Sequence, residues 1–469
     1  MTHNRTQDRN RGGTSTQHLA EFVATARHTD LPPDVIEHAT LCVLDTLGCG
    51  LYGSTLPQAS IVREMLAAGG RGPAVVLGSA ARLSAPDAAL ANGTAVHAFE
   101  LDDLHPRSIV HPGSVVITAA LASAALRPAT TGADLLTAIV LGYEVAARVG
   151  SAVGAAHMLA GWHPTGTHGT LGASAAAGKI LGLDVGELAD ALGIAGTQAG
   201  GLMAAQYESM VKRFHAGRAA QSGVYAALLG ERGYTGIRDV FQAEYGGYLA
   251  TFSPRSDPAR LTAGLGSTWE TLAAGFKPYS TNGSCHPTID CLREMRARHG
   301  VRAGDVESVE VRVSTATVKH VGWPYRPDTV TTAQMNLPYI AAVVLTDGEA
   351  FVDQFTDARI RDPQLVELAG RVRVLADPEV DARGDAARHA TRLAVTLRDG
   401  TVLTATRDHA HGSAKDPMTE AEVRQKYRRL AGDVRSAGRV AELEATVDAL
   451  PTLRNLATLT TLLGGDPDE

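Results

Sequence analysis

The sequence predicts a mainly α protein, in which a large all-helical domain precedes a smaller α+β domain. Apolar residues recur at three- and four-residue spacing from about Thr16 to Leu272, as they do in amphipathic helices. Alternation of apolar and polar residues, typical of half-buried strands, becomes strong only after about His286. A chain of 469 residues is also long for one simple core. These observations favour two domains of different class.

The predicted large domain covers residues 16–275, and its helices are separated by glycine and proline. Pro32 and Pro33 suit a helix start, and glycines mark helix ends. The run Val116–Leu126 is almost wholly apolar, which predicts a central buried helix. Residues 1–15 are polar and lack the apolar core of a secretory signal, so we expect a disordered lead-in there.

The predicted small domain covers residues 276–410 and mixes strands with helices. The segment Val306–Val318 alternates along its length, and Arg392–Asp408 resembles a hairpin turning on an Asp-Gly pair. A helix is predicted at Met335–Leu345 between them. Residues 411–469 are helical again, and we expect them to pack back on the large domain.

Composition and charge exclude several classes of function. A net charge of −7 and a pI of about 6.2 provide no overall basic field, so neither nucleic acid nor an anionic membrane is expected as a partner. No uncharged apolar run is long enough to predict a transmembrane helix. The cysteines have no metal-site spacing, which predicts reduced thiols in a cytoplasmic protein. They are Cys42, Cys49, Cys285 and Cys291.

The segment His97–Ser114, HAFELDDLHPRSIVHPGS, concentrates groups that hold and exchange protons. It lies in a turn-prone stretch immediately before an apolar run. Acids and histidines collected beside a buried helix predict an acid/base active site. The titratable residues are Glu100, Asp102, Asp103, His97, His105 and His111.

Two lysines and an arginine further along the chain suit an anionic substrate. Lys212 and Arg213 precede an apolar helix, and Lys277 lies in a Pro/Gly-rich loop. These cations could offset the charges of a di- or tricarboxylate and stabilise a developing carbanion. We predict His111 as the principal acid/base, with His163 as its helper or as a carboxylate ligand.

Several residues have structural alternatives. Asp102 and Asp103 could bind a metal, but no second ligand motif accompanies them, so capping a helix or orienting His105 and His111 is favoured. His97 and His168 are expected to be structural.

Other pairs of residues also have structural alternatives. Cys285 beside His286 lacks an acyl-transfer constellation, so His286 is expected to line the pocket. His215 and Arg218 suit a helix start or a dimer contact as well as they suit ligand binding. His409 and His411 are expected to be solvated.

An ordered set of motifs along nearly the whole chain resembles the MmgE/PrpD family, which is named for 2-methylcitrate dehydratase. The motifs are LDTLGCGLYG, GYEVAARVG, KILGLD, GERGYTGI, QMNLPYIAAVVL and KDPMTEAEVRQKY. The resemblance implies a helical and an α+β domain, usually in a homodimer, with the site in the cleft between domains. It also implies cofactor-free chemistry on small polycarboxylates: dehydration of 2-methylcitrate, decarboxylation of cis-aconitate or epimerisation of iminodisuccinate.

The active-site residues of the decarboxylase branch of this family match this sequence only in part. His111 matches the histidine that handles the proton there, and His163, Lys212 and Lys277 match other active-site residues. Four positions depart from that branch: Glu100 replaces aspartate, Leu104 threonine, Asn282 histidine and His320 tyrosine. The predicted substrate-binding residues are Glu100, Asp103, Leu104, Arg213, Asn282, His286 and His320.

The sequence thus predicts a cytoplasmic, homodimeric lyase that acts on a small di- or tricarboxylate without cofactor or metal. Dehydration and decarboxylation are the leading reactions, and an epimerase or double-bond isomerase is the alternative. A homologue that binds without turnover, motivated by the departures at Leu104, Asn282 and His320, belongs to another class. A metal-dependent hydrolase is a third possibility.

Overall fold

The computed structural model describes residues 13–207, 209–384 and 387–465. It is 60% helical with a small mixed sheet towards the C-terminus, which confirms the predicted fold class. Most of the predicted disordered lead-in, residues 1–12, lies outside the described residues. At its end Thr14 caps the first helix, since its hydroxyl accepts from the Gln17 N–H.

The first ten helices form closely packed layers. Helix α7 packs against α6 and α9, and α9 packs also against α4. Gly217 permits the last contact, because a Cβ there would lie 2.2 Å from the carbonyl oxygen of Leu90. The helices are α1 Ser15–Thr25, α2 Pro33–Gly53, α3 Pro57–Ala67, α4 Ala85–Val96, α5 Thr118–Ala124, α6 Gly132–Leu159, α7 Pro164–Leu181, α8 Val185–Gly196, α9 Val211–Glu231 and α10 Tyr248–Phe252.

Helix α6 is the central element of this region. It is long and apolar enough to cross a membrane, but its most apolar window is wholly buried inside the fold. The chain breaks its helical path at Gly154, where φ is 56°. The predicted helix at Val116–Leu126 is divided differently: a π-helical turn at Gly113–Ile117 leads into α5.

The region predicted to be all-helical also contains a small ribbon. Strand β1, Ala74–Val75, pairs antiparallel with β2, Arg82–Leu83. With two residues each, these strands are too short to give the alternation that identifies a strand in a sequence.

The larger sheet has the strand order β4-β3-β5-β6. Its strands are β3 Val306–Val313, β4 Val372–Ala376, β5 Thr391–Leu397 and β6 Val402–Arg407. Strand β4 runs parallel to β3, and β5 runs antiparallel to both β3 and β6. The strand predicted at Val306–Val318 is therefore too long. Ser314 ends it, because its hydroxyl accepts from the Thr317 N–H and begins a helix.

The remaining helices surround this sheet or return to the first region. They are α11 His286–His299, α12 Thr315–Val321, α13 Val330–Gln334, α14 Leu337–Asp347, α15 Asp357–Ile360, α16 Pro363–Ala369, α17 Pro378–Ala382, α18 Glu420–Gly432, α19 Ala437–Asp448 and α20 Ala457–Leu463. Helix α18 packs on α2. There Lys426 forms a buried ion pair with Asp45, 2.6 Å from Nζ to Oδ1.

Candidate active site

The segment His97–Ser114 links α4 to the π-helical turn through a strained loop. Glu100 and Ile109 have φ values of 61° and 58°, and among the described residues they are the only non-glycines with positive φ. A left-handed conformation costs a residue with a Cβ on the order of 1–3 kcal/mol, more for a β-branched one. Such strain persists where the surrounding contacts fix the backbone.

Glu100 gathers three cations around one buried carboxylate. Its Oε2 lies 2.8 Å from Lys212 Nζ and also contacts the Arg213 guanidinium, and its Oε1 lies 3.4 Å from Lys277 Nζ. Lys277 also donates to the Glu100 carbonyl oxygen at 2.8 Å. Burial alone would raise the pKa of Glu100, but these cations hold it well below its usual range.

This cluster carries an excess of positive charge. Burial, opposed by Glu100, lowers the pKa of Lys212 to about 8, so the ammonium form predominates at neutral pH. Arg213 is held further by Gln334, whose Oε1 lies 2.9 Å from Nη2. Three cations facing one carboxylate leave the cluster suited to a further anionic group.

A second cluster is centred on Asp102. Its Oδ2 lies 2.8 Å from His97 Nδ1, and its Oδ1 lies 3.5 Å from His111 Nδ1. Burial would raise the pKa of Asp102, but the two histidines hold it well below its usual range. Burial lowers the pKa of His111 to about 3, so the free protein holds this ring neutral at pH 7.

His163 lies behind His97, as the N-cap residue of α7. The ring centroids of His97 and His163 are 5.7 Å apart, and His163 Nδ1 lies 3.1 Å from His215 Nδ1. Burial and the nearby Lys212 lower the pKa of His163 well below its usual value. His168, expected to be structural, lies inside α7 with Nδ1 2.9 Å from the Tyr248 hydroxyl.

The Asp102 cluster also has the composition of a metal site. One atom each from His97, Asp102 and His111 lies within 4.8 Å of the others. The surrounding charges oppose a divalent cation, because Lys212 and Lys277 are close enough to perturb these histidines. The cluster is better suited to holding and moving protons than to binding a metal.

A small cavity of about 50 Å³ lies against both clusters. It is lined by Glu100, Leu104, Ile109, His111, Met158, Asn282, Gly283, Ser284, Ala316, Thr317, His320, Arg388 and His389. A larger cavity of about 1030 Å³ shares four of these residues, Leu104, Gly283, Arg388 and His389, and is lined also by Lys277 and His286. The cavity thus lies between helices of the first region and the loops and helices of the second.

The predicted site residues fall into three groups. Five line the small cavity, namely Glu100, Leu104, His111, Asn282 and His320. Lys277 and His286 line the larger cavity. Four line neither: Lys212 and Arg213 contact Glu100, the His163 ring lies beside the His97 ring, and Asp103 contacts the backbone.

Asp103 supports the backbone beside the central loop. Its Oδ1 accepts from the Gly113 N–H at 2.9 Å, and its Oδ2 accepts from the Tyr143 hydroxyl at 2.7 Å. Burial raises the pKa of Asp103 to about 8. Both oxygens thus bond to the π-helical turn and to α6, and a contact of Asp103 with substrate stays a prediction.

His97, expected to be structural, contacts Asp102, and Arg388 and His389 line the cavity although the sequence does not predict them there. The order His97, Asp102, His111 in the sequence indicates a site role for His97, because an acid between two histidines can contact both. Arg388 and His389 have no such signal, because no motif surrounds them. The predicted contact of Asp102 with His105 is absent among the described contacts: His105 bonds to Ser108 and Glu270.

Cys285, weighed as a nucleophile beside His286, is fully buried, and burial raises the pKa of its thiol strongly. A thiol of this kind stays protonated at neutral pH and is a poor nucleophile. His286 instead has Nε2 3.3 Å from the Thr281 carbonyl oxygen.

The chain is similar to proteins named as decarboxylases and dehydratases. The chain is 34% identical to the cis-aconitate decarboxylase-like protein oryM of Aspergillus oryzae, covering 97% of this chain and 98% of that protein. It is 32% identical to a cis-aconitate decarboxylase of Aspergillus terreus, covering 96% and 95%. A 2-methylcitrate dehydratase of Cupriavidus necator is 23% identical, covering 77% and 78%.

The same relationship holds at the level of domains. Residues 17–260 match the MmgE/PrpD N-terminal domain, and residues 279–452 match the MmgE/PrpD C-terminal domain. Together these matches cover most of the chain, and they agree with the resemblance seen in its motifs. The protein belongs to the MmgE/PrpD family of lyases.

Proposed function

We propose that the protein is a cofactor-independent lyase that decarboxylates a small tricarboxylate, with dehydration of a related hydroxy acid as the second candidate reaction. One observation carries the proposal: the triply paired carboxylate of Glu100 and the imidazole of His111 line the same cavity. The first group brings an excess of cations to the substrate, and the second can move a proton. The relatives at 32–34% identity are a cis-aconitate decarboxylase and a cis-aconitate decarboxylase-like protein, whereas the dehydratase is 23% identical, which favours decarboxylation over dehydration.

Substrate carboxylates would share the cations that Glu100 now holds. Lys212 and Lys277 would each turn part of their hydrogen-bonding capacity towards the ligand. The added negative charge would raise the pKa values of Lys212 and His111 and so favour their protonated forms. Binding would thereby prepare the proton donor that the free protein lacks.

The chemical step requires one bond cleavage and one protonation. The bond between a substrate carbon and the departing carboxylate breaks, CO₂ leaves, and the electron pair stays on the substrate, delocalised towards a remaining carboxylate. His111 then delivers one proton to carbon and regains it from solvent. Asp102 orients the His111 ring and stabilises its protonated form, and the cations stabilise the carbanion.

Two alternatives have specific support. Lys212, with a pKa of about 8, could serve as a second proton-transfer group, as an epimerase or double-bond isomerase requires. A binding protein without turnover is the alternative from another class. Three departures from the decarboxylase branch, at Leu104, Asn282 and His320, line the cavity and could change or abolish the reaction.

Proton NMR in deuterium oxide tests the proposal directly. The purified protein is incubated with cis-aconitate, citrate, 2-methylcitrate, itaconate and an imino diacid derived from aspartate. We expect a new vinyl signal or solvent deuterium at carbon with at least one of these compounds. His111→Ala should abolish the change, and the exposed His299→Ala should retain it.

Other outcomes discriminate between the alternatives. Deuterium exchange without a new product would support the isomerase. Binding of these acids without exchange or product would support the binding protein. Loss of turnover on treatment with a chelator, restored by a divalent cation, would contradict cofactor independence and favour a metal at His97, Asp102 and His111.

The homodimer and the cytoplasmic location stay predictions. Light scattering of the purified protein and fractionation of cells that express it would test them.

A further inference from the structure

We propose that His389 and His320 form a specificity subsite, in which the Nδ1–H of His389 donates to an oxygen of the central carboxylate of a tricarboxylate substrate. This inference rests on the proposed function and deepens it, because it assigns residues that distinguish a tricarboxylate from a dicarboxylate. His320 occupies a position where the decarboxylase branch has tyrosine, and His389 has no assigned role.

The tautomer of His389 follows from its neighbour. The Nε of Arg388 lies 2.8 Å from His389 Nε2 and donates to it. A guanidinium nitrogen can only donate, so Nε2 must present its lone pair. A neutral imidazole carries one proton, which therefore lies on Nδ1. Burial and the adjacent Arg388 hold the pKa of His389 well below its usual value, so the ring stays neutral.

The proton on His389 Nδ1 has no acceptor among the described residues, although this atom is buried. The Nε2 of His320 is likewise buried and without a partner there. A buried polar atom without a hydrogen bond costs about 1–3 kcal/mol. Both residues line the same cavity, and a ligand that occupies it would supply the missing partners.

The lining of the cavity brings these two histidines together with the groups of the proposed reaction. Glu100 and His111 come from the segment after α4, whereas His320 comes from α12 and His389 from the approach to β5. Each histidine lines the same cavity as His111. A substrate in this cavity therefore meets two neutral imidazoles in addition to Glu100 and His111.

Arg388, the neighbour of His389, has contacts with both regions of the fold. The carbonyl oxygen of Arg388 accepts from the Ser314 and Thr317 hydroxyls at 2.7 and 2.9 Å. The Nη2 of Arg388 donates to the Pro106 carbonyl oxygen at 2.9 Å. Pro106 belongs to the same segment as His111. Groups fixed in this way bind a correctly shaped ligand with little loss of side-chain entropy.

Neutral donors discriminate by the presence of an oxygen acceptor. A site built to hydrogen-bond a substrate group rejects an analogue that lacks the group, because its own polar atoms stay unpaired. We therefore expect a tricarboxylate to bind more tightly than a matched dicarboxylate. Removing the His389 donor should lower the ratio of the affinities for the tricarboxylate and the dicarboxylate by about 10- to 100-fold.

Calorimetric binding of two unreactive acids tests the subsite. Propane-1,2,3-tricarboxylate and pentanedioate differ only by the central carboxylate. We expect His389→Ala to weaken binding of the first acid about 10- to 100-fold and to leave the second unchanged. His389→Asn should restore selectivity, because its amide N–H stands near the position of Nδ1. His389→Gln, whose amide lies near the position of Nε2, should not.

Controls separate this inference from the proposed function. His299→Ala should behave as the unaltered protein, and thermal melting checks that each variant is folded. If the unaltered protein binds neither acid, both proposals are rejected. If it binds them and His389→Ala weakens both equally or neither, only the subsite is rejected. With a turned-over tricarboxylate, His389→Ala should raise KM and largely keep kcat.

Discussion

Lys212 and Glu100 form a buried ion pair, 2.8 Å from Nζ to Oε2, between the start of α9 and a residue in the left-handed conformation. The side chains of both residues are about 5% exposed or less. Because Glu100 also holds Arg213 and Lys277, its carboxylate serves as an internal anion at the place where a substrate anion is expected. The protein therefore keeps its cations paired both before and after binding.

Glu100→Gln should strongly destabilise the protein, because it leaves three buried cations without a carboxylate. Breaking a buried ion pair from one side typically costs about 3–5 kcal/mol. Denaturant unfolding measures the loss, and a saturating polycarboxylate should restore part of it by supplying the missing charge. Glu294→Gln, at a surface ion pair with Arg298, is the matched control and should change stability by less than about 1 kcal/mol. A Glu100 variant as stable as this control would contradict the role of the carboxylate.

The value of kcat/KM should fall as pH rises through about 8. The pKa of Lys212 in the free protein is lowered to about 8, so the ammonium form is present below this pH and lost above it. Loss of that charge removes attraction for the substrate, and each further pH unit should cost up to about tenfold. Initial rates between about pH 6 and pH 10 give the profile.

Two variants identify the group that titrates. Lys212→Arg stays charged, so the alkaline limb of the profile, where kcat/KM falls, should move to higher pH. Asp103, whose pKa is raised to about 8, would add negative charge in the same range. Asp103→Asn should leave the limb in place if Lys212 causes it, and disappearance of the limb in this variant would assign it to Asp103.

Asp102→Asn should lower kcat about 10²- to 10⁴-fold with a smaller effect on KM, because the amide cannot stabilise a protonated His111. The substitution keeps the volume of the side chain in a fully buried position. Rapid-quench or NMR assays at saturating substrate measure kcat. An unchanged kcat in a correctly folded variant would exclude Asp102 from positioning the proton donor.

Lys426→Met should destabilise the protein by about 3–5 kcal/mol, because it leaves Asp45 buried without its counter-ion. Lys426 also donates to the Leu101 carbonyl oxygen at 2.6 Å, next to Asp102, so turnover should fall as well. The pair Asp45→Asn with Lys426→Met should recover much of the stability. Thermal and denaturant unfolding of the single and double variants form the cycle that checks this.

Local pattern was sufficient to predict the fold class and to select the loop at the centre of the candidate site. Helical periodicity over many turns predicts the large helical region, and the spacing of acids and histidines in His97–Ser114 predicts the central loop. Two features show the limit of such patterns. Asp102 and Asp103 are adjacent in sequence, but an irregular loop directs one to the histidines and the other to Tyr143. Apolar and polar residues go on alternating after Val313, but Ser314 caps the start of helix α12 there.

Contacts between distant segments could not be predicted from spacing. His389 reaches the cavity from almost 280 positions beyond His111, and its tautomer depends on the contact that Arg388 makes with it. Glu100 could be identified as a site residue, but its three partners come from α9 and from the loop before α11. Such relationships arise only when the chain folds.

The small cavity has a consequence for the rate of turnover. Pockets that bind small ligands usually have volumes of roughly 300–1,000 Å³, whereas this one has about 50 Å³ and borders the larger cavity at Leu104, Gly283, Arg388 and His389. The small cavity must therefore widen when a polycarboxylate binds beside His111. Steps of this kind, rather than chemistry, limit kcat in many enzymes. If widening limits turnover here, added viscogen should lower kcat.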